Sequence, residues 1–145
     1  MAGPEARVWA NMRKSLPPKT HSTRIENRHG GGIPDVHLLW DGVAIWVELK
    51  AHDTKAVFLR PSQAAWHSRQ AHCGGVSYVL CGCTTSPKVR IFRGSEAALR
   101  ASEGLLCVPP LIAVDSMTEA LRLLRLDALR HMSEVCSAAP RSPAT

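Results

Sequence analysis

The sequence predicts an α/β domain, a small mixed β-sheet flanked by helices, and three observations predict it. Residues 33–40 and 43–50 are two apolar-rich runs separated only by Asp41-Gly42. A two-residue type I′ hairpin turn needs φ > 0 at both central positions, which Asp-Gly accepts readily. Residues 61–73 open on Pro61, end at Gly74-Gly75 and lead into the apolar run 76–83, so a helix carries the chain across to a parallel neighbour. Residues 88–93 then alternate, with Val89, Ile91 and Arg93 on one face, after a turn at 84–87. The order is strand, strand, helix, strand, strand. At 145 residues the chain reads as one domain over 1–136, with 137–145 as a disordered tail.

The hairpin is the element around which the rest is arranged. With Asp41 and Gly42 in the turn, Trp40 faces Val43, His37 faces Trp46 and Asp35 faces Glu48. Side chains on a strand alternate with period two, so Val43, Ile45, Val47 and Leu49 form an apolar core face. Ala44, Trp46, Glu48 and Lys50 share the other. Two carboxylates facing each other across a ladder, with Cβ atoms about 4.5–5.5 Å apart, repel one another. A cation between them would relieve that repulsion. Hard oxygen ligands suit Mg²⁺, which keeps other positions for water and phosphate oxygens. Lys50 adds a positive charge beside the pair, suited to orienting water or stabilising charge at phosphorus. A surface hairpin with an ordinary Glu-Lys pair is the plainer alternative.

Composition narrows the partners. A formal net charge of +6 and a pI near 9.4 favour a polyanion, nucleic acid or an anionic membrane surface. No apolar run reaches the ~18 residues of a membrane span, and no signal-peptide core stands at the N-terminus, so a cytoplasmic protein is expected. The five cysteines lack paired C-x₂-C spacing. They read as reduced thiols rather than as a zinc site built on Cys81, Cys83, His72 and Cys73.

Taken in order, residues 5–16 place Val8, Trp9, Met12 and Leu16 at helical spacing, and Pro17-Pro18 stops that helix. Residues 19–28 suggest a short strand ending near Glu26. Up to Pro34 there are six basic residues (Arg7, Arg13, Lys14, Lys19, Arg24, Arg28) against Glu5 and Glu26, or 6 − 2 = +4. Gly30-Gly31-Gly32 would let backbone approach a phosphate closely. The 51–60 loop, with His52, Asp53, Lys55 and Arg60, reads as a flap beside the acidic pair. A short helix starts at Ser95-Glu96, and residues 105–114, with Pro109-Pro110, are too broken to assign as a strand. Ser116-x-x-Glu119 is a capping box opening a last helix, with Ala120, Leu121, Leu124, Ala128, Leu129 and Met132 on one stripe.

Gly32-Ile33-Pro34-Asp35, with Glu48-Leu49-Lys50 placing its acid thirteen and its lysine fifteen residues after Asp35, resembles the PD-(D/E)xK nuclease superfamily. Within it the chain is similar to small phage-type and VRR-type nucleases and to archaeal-type Holliday junction resolvases, over roughly residues 5–93. Arg24-Ile25-Glu26-Asn27 and Ser62-Gln63 also match those relatives. The resemblance implies a restriction-endonuclease-like core and a metal-dependent DNA endonuclease, acting on structured or branched DNA in the cytoplasm of a bacterial host if phage-encoded. By this resemblance Asp35, Glu48 and the Leu49 backbone carbonyl hold Mg²⁺, with Mn²⁺ as a substitute. Glu5 or Glu26 is the auxiliary carboxylate, and the choice between them stays open. Lys50 activates water and Gln63 supports the site. Lys19, Arg24, Arg28, Gly31, Lys55 and Arg60 are expected against DNA. A homodimer is expected too, since junction-resolving relatives are two-fold; apolar surface for it lies in 105–114 and on the Leu121–Met132 stripe. A DNA-binding module that kept the fold without catalysis, a nuclease for single-stranded, nicked or plain duplex DNA, and an unrelated small α/β binding protein are the rival readings.

Overall fold

The Asp41-Gly42 turn closes the hairpin as its two residues demand: Asp41 has φ 50° and Gly42 φ 78°. In the computed structural model, which describes residues 3–26, 31–52 and 56–138, strands β2 (Val36–Trp40) and β3 (Val43–Ala51) pair antiparallel from Trp40–Val43 out to Val36–Val47. β1 (His21–Arg24) lies antiparallel on the outer side of β2. After helix α2 (Pro61–His72) the chain returns as β4 (Ser77–Gly82), the one parallel neighbour of β3. β5 (Val89–Arg93) and β6 (Ile112–Val114) add antiparallel strands, so the six-stranded mixed sheet runs in sequence order. Helix α1 (Pro4–Ser15) precedes the sheet, α3 (Gly94–Leu99) follows β5, and α4 (Met117–Ala138) ends the described chain.

The period-two pattern of β3 decides the two layers. Val43, Ile45, Val47 and Leu49 join Tyr78, Leu80, Val89 and Ile91 in one apolar face, covered by Val8 and Met12 of α1 and by Leu121, Leu124 and Ala128 of α4. Each Val, Leu, Ile or Met side chain among them, taken fully from water, contributes roughly 1.5–3 kcal/mol. On the other face Val79, Cys81 and Phe92 pack with Ala97 of α3, Val57, Leu59, Leu105 and Val108. Val57 and Leu59 therefore anchor the stretch that leads into α2, and His52 N–H bonds the Gly82 carbonyl at 2.8 Å.

Three expectations need correction. Residues 105–114 do contain a strand, β6, with Pro109-Pro110 just ahead of it at the sheet edge, where prolines disturb no ladder. The α4 stripe is not spare surface: Leu121, Leu124 and Ala128 are buried in this chain's own core, and Met132 lies 43% exposed. α4 also continues to Ala138, two residues into the stretch read as a tail; residues 139–145 lie outside the described ones. Among the described residues, no helix is long and apolar enough to cross a membrane.

Candidate active site

Asp35 immediately precedes β2, and its carbonyl accepts the Ile25 N–H at 2.7 Å. Its carboxylate Oδ2 accepts the Leu49 backbone N–H at 2.8 Å, which pins the acid across the hairpin. The neighbouring register, Val36 opposite Val47, puts Asp35 opposite Glu48 as the turn geometry requires. Asp35 is close enough for its charge to raise the Glu48 carboxyl.

Glu48 is 2% exposed. Its Oε1 accepts from Gln63 Nε2 at 2.6 Å and lies 3.9 Å from Lys50 Nζ, while its Oε2 is buried with no hydrogen-bond partner among the described residues. Burial, and then the Asp35 charge, push its carboxyl up to about 8, and Lys50 offsets this only in part. Gln63 ties the pieces together. Its Oε1 accepts from Lys50 Nζ at 3.2 Å and from the Arg60 N–H at 2.9 Å. Two N–H donors on one amide atom identify that atom as oxygen, so the amide nitrogen must face Glu48. One turn further along α2, His67 is fully buried. Its Nδ1 meets Ser77 Oγ at 2.6 Å, and desolvation followed by the Lys50 charge lowers it to about 4. It is therefore a neutral ring at pH 7.

Gly32 makes this assembly possible. With φ 68°, a Cβ there would overlap the Ser62 carbonyl and stand 2.6 Å from Gln63 N. The glycine run was expected to let backbone approach a phosphate; at Gly32 it lets backbone approach the first turn of α2 instead.

The other expected site residues scatter. Glu5 is exposed and reaches the site only as the weakest of the charges acting on Glu48. Glu26 is exposed one residue beyond the Ile25–Asp35 bond. Among the described residues no group of three or more His, Cys, Asp or Glu side chains could hold a metal, so the acidic pair has no third acid or imidazole beside it. Lys19 is exposed in the turn before β1, Arg60 is exposed at the start of α2, and Gly31 is exposed with φ 99°. Arg24 turns away. Opposite Val36 on β1, it lies on the core face, and its guanidinium stands 5.9 Å from the Trp9 ring centre. Arg28, Lys55 and Asp53 lie outside the described residues.

Arg7 and Lys14, expected with the other basic residues of 7–28 to hold the phosphate backbone, belong to a cationic flank whose other members, Lys88 and Arg90, went unread in the sequence. Beyond Lys50, the 82–88 loop borders a cavity lined by His52, Cys83, Thr85, Ser86, Lys88 and Arg90. A second cavity shares that loop and adds Arg7, Asn11 and Lys14. Among the described residues, no acidic side chain lines either one. These residues are far apart in the chain and meet only because β3 and β4 end side by side.

No family model matches the chain, and no curated protein matches it. Among solved structures, the Holliday junction resolvase Hjc of Archaeoglobus fulgidus is similar at 15% identity, over 61% of this chain and 72% of that one, with a TM-score of 0.46. A likeness that distant carries no weight about activity.

Proposed function

We propose that the protein is a divalent-metal-dependent nuclease that hydrolyses phosphodiester bonds in DNA. One observation carries this reading: a buried glutamate with an unpartnered oxygen, facing a second carboxylate, with a lysine at its side. The donor set suits a hard cation. The unpartnered, buried Oε2 and the raised carboxyl of Glu48 are both features that a bound cation would relieve. Asp35 and Glu48 would hold Mg²⁺ or Mn²⁺, with the Leu49 carbonyl as a further oxygen. The bound ion would lower the pKa of a water and neutralise charge developing at phosphorus.

The chain's own residues do the rest. Gln63 orients the Glu48 carboxylate and holds the Lys50 ammonium on the same side, so that Lys50 can direct the attacking water. His67, neutral behind Gln63, fills the helix–sheet space without adding a charge that would compete with the metal. Arg7, Lys14, Lys88 and Arg90 supply phosphate contacts that position DNA without reading its sequence.

For substrate, we extend the reading to branched DNA cut by a homodimer. The groove between β6 and α4, lined by Leu111, Ile112, Leu123 and Leu126, supports this by leaving Leu111 and Leu126 more than two-fifths exposed at the sheet edge. Cleavage of a labelled four-way junction and a matched linear duplex, with Mg²⁺, with chelator, and with Asp35→Asn, tests both levels. The expected result is metal-dependent cutting that Asp35→Asn abolishes and that favours the junction, by a particle of dimer mass in scattering. Cutting that survives chelator or Asp35→Asn overturns the nuclease assignment. A monomer that cuts both substrates alike overturns only the extension.

A further inference from the structure

The face of the sheet that carries Asp35 and Glu48 is covered unevenly. Over β4 and β5 it is packed by α3 and by Val57, Leu59, Leu105 and Val108. Toward the hairpin turn it is open: Thr23 and Ala44 are exposed, and Leu39 is 44% exposed. On this open part lies a row of rings. His37 and Trp46 stand 4.6 Å apart edge to face, and Trp46 meets Trp66 of α2 at 5.5 Å in the same manner. All three are half-buried, and none of them belongs to either apolar core. His37 is two residues after Asp35 and Trp46 two before Glu48, so the row begins one pleat, about 6.6–6.8 Å, from the carboxylates on the same strands.

We propose that His37, Trp46 and Trp66 form a stacking platform for an unpaired nucleobase next to the phosphodiester held at Asp35 and Glu48. This rests on the nuclease reading and specifies its substrate: DNA with unpaired nucleotides at the cut, as in a single strand, a flap or an opened branch point. The site has two unlike flanks. Beyond Lys50 lie His52, Lys88 and Arg90, suited to phosphates; before Glu48 lie three aromatic rings, suited to bases. A strand crossing the carboxylates would meet basic side chains on one side and aromatic rings on the other, the pairing used by single-strand binders. A base inside a duplex is stacked on its neighbours and has no face to offer, so an occupant of the row is unpaired or flipped out. The open sheet face is therefore continuous with the candidate active site and shares its ligand.

The test uses the whole chain with Ca²⁺, which supports binding with little turnover, and measures affinity for a single-stranded oligonucleotide, for its duplex, and for a series with one abasic position moved along the strand. Trp46→Leu and Trp66→Leu should each weaken single-strand binding about 5- to 150-fold, the equivalent of ~1–3 kcal/mol per stacked base, and duplex binding less than about twofold. In the unaltered protein one or two abasic positions should weaken binding by a similar factor, and Trp46→Leu should remove that sensitivity. Equal binding at every abasic position overturns the platform, and that arm needs no variant to fold. Unchanged single-strand affinity in both folded tryptophan variants also overturns it. Either result leaves the nuclease reading standing, whereas no binding to any DNA overturns both.

Discussion

Glu48, on β3, and Asp127, on the helix α4 that packs against the sheet, are both buried acids, at 2% and 7% exposure, and their surroundings push them in opposite directions. Asp127, on α4, accepts from Tyr78 Oη at 2.6 Å, from Arg93 Nε and Nη2 at 3.1 and 2.7 Å, and from Arg130 Nη2 at 2.8 Å. Burial raises its pKa, but Arg93, Tyr78 and Arg130 outweigh that, and the carboxyl is held below its ordinary value. Glu48 has Gln63 and a distant Lys50 on one oxygen and nothing on the other, and it faces Asp35. Both oxygens of Asp127 are occupied from within the fold, so it is a cross-link between α4 and the sheet. Glu48 is left incomplete in a way that a cation would complete. The difference separates a structural acid from a candidate ligand without appeal to any relative.

The largest effects should come from removing each acid in turn. Glu48→Gln should lower cleavage by orders of magnitude while leaving the melting temperature equal or higher, since a like-charge contact is relieved. Asp127→Ala should do the reverse. It should cost about 3–5 kcal/mol by stranding Arg93 and Tyr78, with turnover per folded molecule retained. Chemical denaturation beside single-turnover cleavage reads both, and a destabilised Glu48→Gln would erase the distinction drawn here.

The pH dependence should follow Glu48. Its pKa rises from 4.5 unfolded to about 8 folded, so the folded state binds the extra proton between those values. Stability should therefore fall as pH rises through that window, and Glu48→Gln should flatten the slope. Metal affinity should climb over the same range, because the proton must leave before the ion binds. Urea titrations at roughly pH 5 and pH 8.5, with and without Mg²⁺, measure this.

Gly32→Ala should have an intermediate effect. A side chain there strains a positive φ and presses on the first turn of α2, costing roughly 1–3 kcal/mol. It should also move Gln63, so metal affinity should drop more than in an equally destabilised variant remote from α2. Smallest of all, Arg125→Ala removes an exposed pair with Asp41 and a cation over the Trp40 ring at 5.5 Å. It should cost about 0–1 kcal/mol and leave cleavage unchanged.

Much of the hairpin was legible in advance. Asp41-Gly42 required a tight turn, alternation named the core face of β3, and together they put Asp35 opposite Glu48. The crossover helix was readable from Pro61 and Gly74-Gly75. β6 was not, because its three residues follow two prolines and gain strand geometry only by pairing with β5. Arg24 was misplaced for a related reason: counting basic residues locates charge along the chain, not on a face.

The sequence by itself determined the turn, the alternation and therefore the acidic pair, since φ preferences and side-chain period act over a handful of residues. Tertiary structure alone decided what that pair became. It brought Gln63 onto Glu48 through the close approach of Gly32 to α2, and left one glutamate oxygen buried and empty. It also joined Arg93 and Tyr78 to Asp127 across 34 and 49 residues. Burial and pairing over such separations depend on which elements pack against which. That is set by the summed contacts of the whole core rather than by any local pattern.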